Sequence, residues 1–407
     1  MKKRFLKAAL CLLFLVILIT VSTSCSESKG LEFHLLENDT YEVIGIGECN
    51  DKKLVIPQTH EGKPVTRIDR EALMGCDQIE SVVIPDGAIV IDEYAFANCE
   101  NLVEVTISGS VQQIGEYAFA GCEDFSKVNV TDLAAWCKIK FTDLTANPLH
   151  YAHGLYVKGK AVSELVIPDG VSAIGDYAFT GLNRIFSLTL PDSLTEIGDS
   201  AFYDCTRLEK ITMGSNVTRM GHNVFSMCEK IPYTVYENGK YLGTEQNAYQ
   251  ILVQTADWDC TDFTIHENTK IIADRALAGC DKLTSITVPD SVTIIGNEAF
   301  DKCSKLESVV LGSGVESLGK EAFFFCEKLT SVTLSRNLES IGWHAFEYCM
   351  SLTAITIPEG VTRIDEGAFY ACDKLTIYCK ATSKPDGWHE KWKPTGTPVV
   401  WGTSEPS

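Results

Sequence analysis

The chain has 407 residues, with 55 acidic and 35 basic side chains and a formal net charge of −20. This acidity opposes binding to nucleic-acid phosphates and to anionic lipid headgroups, and solubility alone is enough to explain it. The length exceeds what one compact core normally holds, so the chain contains either several domains or a repeat array.

The amino terminus has the order of a bacterial export signal. Four basic residues among the first seven precede an apolar run from Ala8 to Val21, which is too short to span a bilayer comfortably. Small residues at 22–24 then lead to Cys25, and this order resembles the lipobox of bacterial lipoproteins, although Ser22 stands where Leu is usual. We predict a signal peptide over residues 1–24 and lipidation of Cys25, with ordinary secretion as the alternative. Cleavage there would change the net charge to −24.

Ten cysteines lie on a 23-residue grid, in which Leu182 occupies the one slot without sulfur. The repeating unit reads approximately L-x-x-V-x-I-P-x-x-V-x-x-I-G-x-x-A-F-x-x-C-x-x. Repeats of this kind form solenoids, in which each unit buries its apolar positions against the next. The grid cysteines are Cys76, Cys99, Cys122, Cys205, Cys228, Cys280, Cys303, Cys326, Cys349 and Cys372.

Each part of the unit predicts a different local structure. The alternation in L-x-x-V-x-I is typical of a half-buried strand, and these strands should form one parallel sheet along the array. A proline such as Pro289 ends the strand because it lacks an amide donor. Gly296 or its equivalent marks a corner by tolerating left-handed backbone angles. The A-F-x-x-C segment predicts a short helical turn with Phe300 and Cys303 on its core side.

Two interruptions of the grid divide the array into three blocks. We therefore predict an amino-terminal linker and cap over 25–53, a solenoid of about eleven units over 54–380 with inserts near 123–164 and 229–262, and a carboxyl-terminal cap and tail over 381–407. The inserts should be irregular coils that continue the solenoid. Dedicated ligand loops are the alternative, because function concentrates in loops.

The grid cysteines are predicted to be buried thiols. Adjacent coils should lie about 4.8 Å apart with parallel side chains, whereas a disulfide needs converging Cβ atoms nearer about 3.8 Å. A linear ladder also lacks the convergent ligands of a metal site, so no metal is expected. Cys49, Cys137, Cys260 and Cys379 lie off the grid, and a disulfide among them remains an alternative.

The outward positions of the predicted strands form a small, hydroxyl-rich and weakly charged surface. Strand propensity and cross-strand pairing of Thr account for such a row, and a shallow face that accepts an extended protein or glycan accounts for it as well. The candidate binding residues on this face are Thr106, Thr189, Lys210, Thr212, Thr287, Thr333 and Thr356.

The tail is rich in tryptophan, with Trp388, Trp392 and Trp401 among Gly and Pro. An open solenoid end needs a plug for its last apolar coil, so we predict that the tail caps the array. Stacking of Trp388 and Trp392 on a sugar is the alternative.

The I-P, I-G and A-F-x-x-C elements at this spacing resemble the BspA-type leucine-rich repeats of bacterial surface proteins, over about Leu54 to Trp401. The resemblance implies a curved, right-handed, leucine-rich-repeat-like solenoid. A parallel β-sheet would line its concave face, and short helical or irregular turns would form its convex face. It also implies adhesion or another protein-binding role at the cell surface.

No enzyme motif stands out, since the chain has no G-x-S-x-G elbow, phosphate loop or dinucleotide fingerprint, and its histidines lack zinc-ligand spacing. We therefore expect no catalysis and no cofactor. The leading hypothesis is a monomeric lipoprotein at the bacterial surface that binds extracellular proteins, such as host matrix proteins or those of neighbouring cells. Its lipid anchor would be its only membrane contact. A glycan-capture protein and a structural spacer are the alternatives.

Overall fold

The structure is a computed structural model that describes residues 27–403. The predicted signal peptide and Cys25 lie outside the described residues. From Lys53 onward the chain winds into a β-solenoid of stacked parallel coils, which confirms the repeat solenoid predicted from the grid. No helix in the described range is long and apolar enough to cross a membrane.

The strands are short and follow one another in chain order. In the cap and first block they are β1 (Glu32–Leu35), β2 (Tyr41–Gly45), β3 (Lys53–Val55), β4 (Thr59–His60), β5 (Lys63–Ile68), β6 (Ser81–Val83), β7 (Val90–Ile91), β8 (Glu104–Ile107) and β9 (Gln113–Ile114). In the first insert and second block they are β10 (Lys127–Val130), β11 (Lys140–Phe141), β12 (Leu155–Val157), β13 (Lys160–Ala161), β14 (Glu164–Val166), β15 (Ala173–Ile174), β16 (Ser187–Thr189), β17 (Glu196–Ile197), β18 (Lys210–Thr212) and β19 (Arg219–Met220).

The second insert, third block and tail contain the remaining strands. They are β20 (Thr234–Tyr236), β21 (Gly239–Leu242), β22 (Ile251–Thr255), β23 (Ile271–Ile272), β24 (Ser285–Val288), β25 (Ile294–Ile295), β26 (Ser308–Leu311), β27 (Ser317–Leu318), β28 (Ser331–Thr333), β29 (Ser340–Ile341), β30 (Ala354–Ile357), β31 (Arg363–Ile364), β32 (Thr376–Cys379) and β33 (Val399–Trp401). The helices are α1 (Leu133–Trp136), a 3-10 turn (Leu144–Ala146) and α2 (Leu149–Ala152).

The predicted strands pair in parallel, and we call their ladders the first sheet. Its four segments have the orders β13-β12-β10-β8-β6-β3, β14-β16-β18, β24-β26-β28 and β30-β32-β33. Within a block the register advances by one repeat, so Ser285 pairs with Ser308 and Ser308 pairs with Ser331. Inward side chains such as Ile286 and Val309 are almost fully buried, while their neighbours face solvent.

A second parallel sheet, which the sequence analysis interpreted as a corner, runs along another side of the array. Most of its strands have two residues at the x-I position, and Ile294, Ser317, Ser340 and Arg363 pair successively. The apolar spacing was too short to indicate a strand by alternation. Its ladder forms because each coil repeats the same two extended residues at the same height as its neighbours.

The glycine that follows this strand serves a different purpose from the one predicted. Gly319 and Gly342 do not adopt left-handed angles, so that explanation is wrong for them. Instead the coils approach closely here. A Cβ atom on Gly319 would lie 2.5 Å from the carbonyl carbon of Gly296, and one on Gly342 would lie 2.6 Å from that of Gly319. Only a hydrogen atom fits between these backbones.

The A-F-x-x-C segments form pairs of consecutive tight turns and not the predicted short helices. Two residues of each segment are left-handed, the one before Ala and the one before Cys, as in Glu298 (φ 53°) and Lys302 (φ 58°). Where another repeat follows directly, three main-chain N–H groups of a segment donate to the next coil: Glu298 to Lys320 O at 2.7 Å, Phe300 to Ala322 O at 2.8 Å and Lys302 to Phe324 O at 2.8 Å. We call this side of the array the turn stack.

Phenylalanine and cysteine ladders fill the core behind the turn stack. The rings of Phe300, Phe323 and Phe346 stack at centroid distances of 5.0 and 5.2 Å. Each ring is fully buried, and burying a side chain of this size contributes about 1.5–3 kcal/mol. Most grid thiols donate to a phenylalanine or leucine carbonyl of the preceding coil, as Cys326 Sγ does to Phe300 O at 3.3 Å. All described cysteines are free and buried, as predicted for the grid.

The first insert adds an irregular coil to the stack. Strand β10 continues the first sheet beside β8, and β11 continues the second sheet beside β9. Asp132 caps α1 by accepting from the N–H groups of Ala134 and Ala135. Asn147 Nδ2 donates to Tyr177 O at 2.6 Å and to Ala178 O at 2.9 Å, which ties this coil to the next block.

The second insert departs further from the repeat. Strand β21 pairs antiparallel with both β20 and β22. Strand β22 connects them to the second sheet by pairing in parallel with β23. An aromatic cluster holds this hairpin, in which Tyr249 stacks on His266 at 3.7 Å and Tyr241 is fully buried. The prediction of an irregular solenoid coil therefore describes the first insert better than the second.

Candidate interaction surface

The outward row of the first sheet contains the threonines predicted from the sequence, in register within each segment. Thr189 pairs with Thr212, Val310 lies between Thr287 and Thr333, and Thr106 lies between Val83 and Asn129. Thr356 pairs with Tyr378. The ladders place these side chains on one face, while the two inserts separate them into groups.

The solvent exposure of this row fits a contact surface. Thr212, Thr287, Thr333 and Lys210 are exposed, and Thr106, Thr189 and Thr356 are half-buried. In the third block the adjacent outward positions are also small, with Ser285, Ser308 and Ser331 aligned, whereas the first and second blocks place charged residues such as Glu104 and Lys210 there. We call these two rows, together with the outward residues that pair with them, the first-sheet face. That this face is concave stays a prediction.

The row also has members that were not among the predicted site residues, and Val83, Val166 and Val310 lie within the blocks. Asn129 and Tyr156 extend the row into the first insert, and Tyr378 and Val400 extend it into the tail. Asn129 was within reach of the sequence pattern, because Phe125, Val128 and Val130 lie one repeat after Leu102, Val105 and Ile107. The tail strand was harder to find, because its register is one residue shorter than the repeat, with Ile355 opposite Ile377.

The second insert opens a cavity at the edge of the first-sheet face. This cavity has a volume of about 270 Å³ and is bordered by Lys210 and Thr212 on one side. Tyr241, Thr244 and Glu245 of the insert form the opposite wall. It arises because no strand pairs with the free edge of β18. Thr106, another predicted site residue, borders a cavity of about 290 Å³ beside Val55 and Val83.

The tail places its tryptophans in a cap. Trp388 and Trp392 are 2% and 3% exposed, and Trp388 Nε1 donates to Val361 O at 3.0 Å. Trp392 packs edge-on against Phe369, the last phenylalanine of the ladder. Buried rings present no face to a ligand, so the structure does not support sugar stacking by Trp388 and Trp392.

Burial keeps several of the described thiols in the protonated form. Burial raises the pKa of Cys76 to about 11 and the pKa values of Cys137 and Cys372 to about 12. A thiol becomes a nucleophile or a metal ligand only as the thiolate, which these environments disfavour. Off-grid Cys379 occupies an inward strand position opposite Ile357, so it too serves as a small apolar side chain.

The polar residues of the described range take part in structural contacts. No group of three or more His, Cys, Asp or Glu side chains there is arranged to hold a metal ion. His222 forms an ion pair with Asp199 at 3.1 Å, and the hydrogen bond to Asp199 raises the pKa of His222. His153 contacts Gly181 O through Nδ1 at 2.9 Å. These histidines join neighbouring coils.

The repeat architecture and its residue pattern match a known family. The model of the BspA type leucine rich repeat region matches residues 48–141, 155–248 and 256–376, in six copies. These ranges cover most of the chain. The protein belongs to the BspA-type leucine-rich repeat family. Among curated proteins, none matches the chain.

Solved structures of bacterial repeat proteins are similar to this BspA-type chain. A leucine rich cell surface protein from Faecalibacterium prausnitzii is 26% identical over 87% of this chain and 88% of its own, with a TM-score of 0.39. A leucine-rich repeat protein from Bacteroides ovatus is 24% identical over 88% of both chains, with a TM-score of 0.37. One from Eubacterium ventriosum is 22% identical over 88% of this chain and 95% of its own, with a TM-score of 0.32.

Proposed function

We propose that this BspA-type protein is a non-catalytic binding protein of the bacterial cell surface, which contacts an extracellular protein through its first-sheet face. The observation that carries the proposal is the outward row that contains the threonines, in which uncharged side chains, mostly Thr and Val, repeat in register on every segment of the first sheet. Desolvating hydroxyl groups costs far less than desolvating charges, so such a face can bury a large area.

Binding by this face would be spread over many weak contacts. Each strand of the first sheet contributes only a few outward side chains, so affinity depends on how many coils a partner touches. Many copies anchored on one cell would add avidity without any new contact. Adhesion to matrix proteins or to neighbouring cells is the role that suits such a surface.

A pull-down tests this function. The purified mature chain is immobilised and exposed to a panel of purified extracellular-matrix proteins. We expect at least one to be retained by the wild type and lost with Thr212→Arg, which places a long charged side chain in the row. Thr218→Arg is the matched control, because Thr218 is an exposed threonine of the same coil beside the second sheet. Retention of no protein across the panel would contradict adhesion.

We further propose that a lipid on Cys25 anchors the protein to the membrane. The support is the order of basic, apolar and small residues before this cysteine. Two or more acyl chains make such an anchor stable, whereas a single chain binds reversibly. Mass spectrometry of the native amino terminus should find a mature chain that begins at a diacylated Cys25. An unmodified Cys25 in the mature chain would exclude the anchor.

A further inference from the structure

The turn stack is interrupted at the second insert, where its hydrogen bonds have no continuation. The last coil of the second block accepts three bonds, from Ser200 to His222 O at 2.9 Å, from Phe202 to Val224 O at 3.0 Å and from Asp204 to Ser226 O at 2.9 Å. The equivalent donors of that last coil are the N–H groups of Asn223, Phe225 and Met227. Among the residues that the structure describes, none accepts from these three groups.

At the other ends of the turn stack the chain covers the last phenylalanine ring. At the first interruption the equivalent N–H groups, of Tyr117, Phe119 and Gly121, also have no acceptor among the described residues, but Phe125 stacks on Phe119 at 5.4 Å. At the end of the array the tail accepts from Gly367 N through Lys391 O at 2.9 Å, and Trp392 covers Phe369. The second insert leaves its end open because its hairpin pairs with the second sheet.

Two adjoining cavities lie over this open end, with volumes of about 640 and 130 Å³. Both are lined by Phe225, Ser226, Tyr233 and Gln254, so they form one groove. Exposed hydrophobic side chains stand along it: Met227 is 57%, Val235 60% and Trp258 49% exposed. Large apolar side chains that face solvent together mark interaction sites.

Most of the cations around the groove already have partners, and Glu229, which lines it, is acidic. Arg275 pairs with Glu298, and Asp274 pairs with Arg219 at 3.3 Å. Lys240 lies over the ring of Tyr233 at 5.8 Å. An anion would therefore find no cluster of free cations here. The groups that remain available to a ligand are main-chain N–H donors at alternate residues and an apolar wall.

We propose that this groove binds a peptide segment of another protein. Carbonyl oxygens at alternate residues of the peptide accept from the N–H groups of Asn223, Phe225 and Met227, as the next coil would, and an apolar side chain of the peptide packs between Met227, Val235 and Trp258. Main-chain bonds then supply affinity and the side chain supplies selectivity, as in recognition by strand addition. The site is on the turn stack, so its test is independent of the function proposed for the first-sheet face.

The test uses the mature chain and a displayed library of random peptides. Peptides enriched on the wild type are synthesised, and their affinities are measured by calorimetry. We expect Val235→Arg to weaken binding by at least about tenfold, because it fills the groove with a charged side chain. Trp258→Ala should weaken it in the same direction. Ile44→Arg is the matched control, since Ile44 is a β-branched residue that is 42% exposed in strand β2 of the amino-terminal cap, and it should leave the affinity unchanged.

Hydrogen exchange locates the bound peptide. The amides of Asn223, Phe225 and Met227 should exchange rapidly in the free protein, because they have no acceptor, and slow down when the peptide is bound. Failure to enrich any peptide would overturn the proposal. So would enriched peptides whose affinity is the same for Val235→Arg, peptides that protect amides only outside 222–228, or a groove that takes up glycans and no peptide.

Discussion

The left-handed residues of the turn stack are mostly not glycine, although each costs about 1–2 kcal/mol relative to a right-handed conformation. Tyr94, Glu298 and Lys302 adopt such angles because their N–H groups donate to the following coil. The glycines that follow the second-sheet strands are required for a different reason. Their backbone angles are ordinary, but the neighbouring coil is so close that a Cβ atom would not fit. Conformation and close approach thus act at different positions of one repeat.

Gly319→Ala should destabilise the third block. The new Cβ atom would lie 2.5 Å from Gly296 C and 2.6 Å from Asn297 N, so the coils would have to separate, and overpacking of this kind costs about 1–3 kcal/mol. The measurement is the midpoint of urea unfolding. Gly360→Ala is the control, because its Cβ would meet nothing closer than Leu338 O at 3.4 Å. Equal midpoints for the two variants would contradict the close-approach explanation.

The buried thiols should make the protein less stable at high pH. Burial raises the pKa of Cys372 to about 12 in the folded state, whereas an unfolded thiol has a pKa of about 8.5. The folded state therefore retains a proton that the unfolded state loses. The stability from this group is complete below about pH 8.5 and falls by about 1.4 kcal/mol per pH unit toward pH 12.

Cys372→Ala isolates this effect from the titration of tyrosine and lysine. The free energy of unfolding is measured in urea at several pH values between 8 and 11 for the wild type and the variant. We expect the variant to be less stable at pH 8, because a buried side chain has been shortened. Its stability should nevertheless fall less steeply with pH, by about 1.4 kcal/mol per unit. Identical slopes would show that this thiol does not titrate on unfolding.

At the scale of elements, each coil is held by its two neighbours, so a coil at an end needs a substitute for the missing one. The tail provides it at the carboxyl end, where Trp388 forms a parallel bridge with Ile364 and donates to Val361 O. The second insert does not provide it for the turn stack of the second block. The groove beside Phe225 is therefore left open, whereas the carboxyl end of the array is covered by the tail.

Trp388→Ala should loosen the last coils selectively. Removing a buried tryptophan costs about 3–5 kcal/mol, and in a repeat array the loss falls mainly on the adjacent coils. Hydrogen exchange should therefore accelerate in β30, β31 and β32 and remain unchanged in β16 and β18. Trp343→Ala removes an indole that is 39% exposed and should have little effect. Faster exchange throughout the chain, or none anywhere, would contradict a local cap.

The 23-residue grid was enough to predict the solenoid, the first sheet, the thiol ladder and the outward threonine row. These features depend on apolar and polar alternation within one repeat, which the sequence displays directly. The second sheet was missed because two-residue strands leave no alternation to detect. The groove was missed because the N–H groups of Asn223, Phe225 and Met227 are unpaired only as a result of the backbone path of the second insert. That path is not indicated by any side-chain pattern in the sequence.

At the scale of the whole molecule, the array lengthens without thickening, so a core of stacked coils supports a long surface, which the inserts divide into segments. The Phe and Cys ladders keep neighbouring coils at one spacing, which aligns Thr189 with Thr212 and Thr287 with Val310. We therefore expect binding on such a molecule at aligned rows of outward side chains and at the inserts that interrupt them.

The affinity of the mature chain for a matrix protein retained in the pull-down tests the proposed function most directly. It is measured by surface plasmon resonance for the wild type, for a variant with Thr189→Arg and Thr212→Arg, and for Thr218→Arg. We predict that the double variant binds at least about tenfold more weakly, while Thr218→Arg binds like the wild type and all three have the same circular dichroism spectrum. Equal affinity of the double variant and the wild type would contradict binding through the first-sheet face.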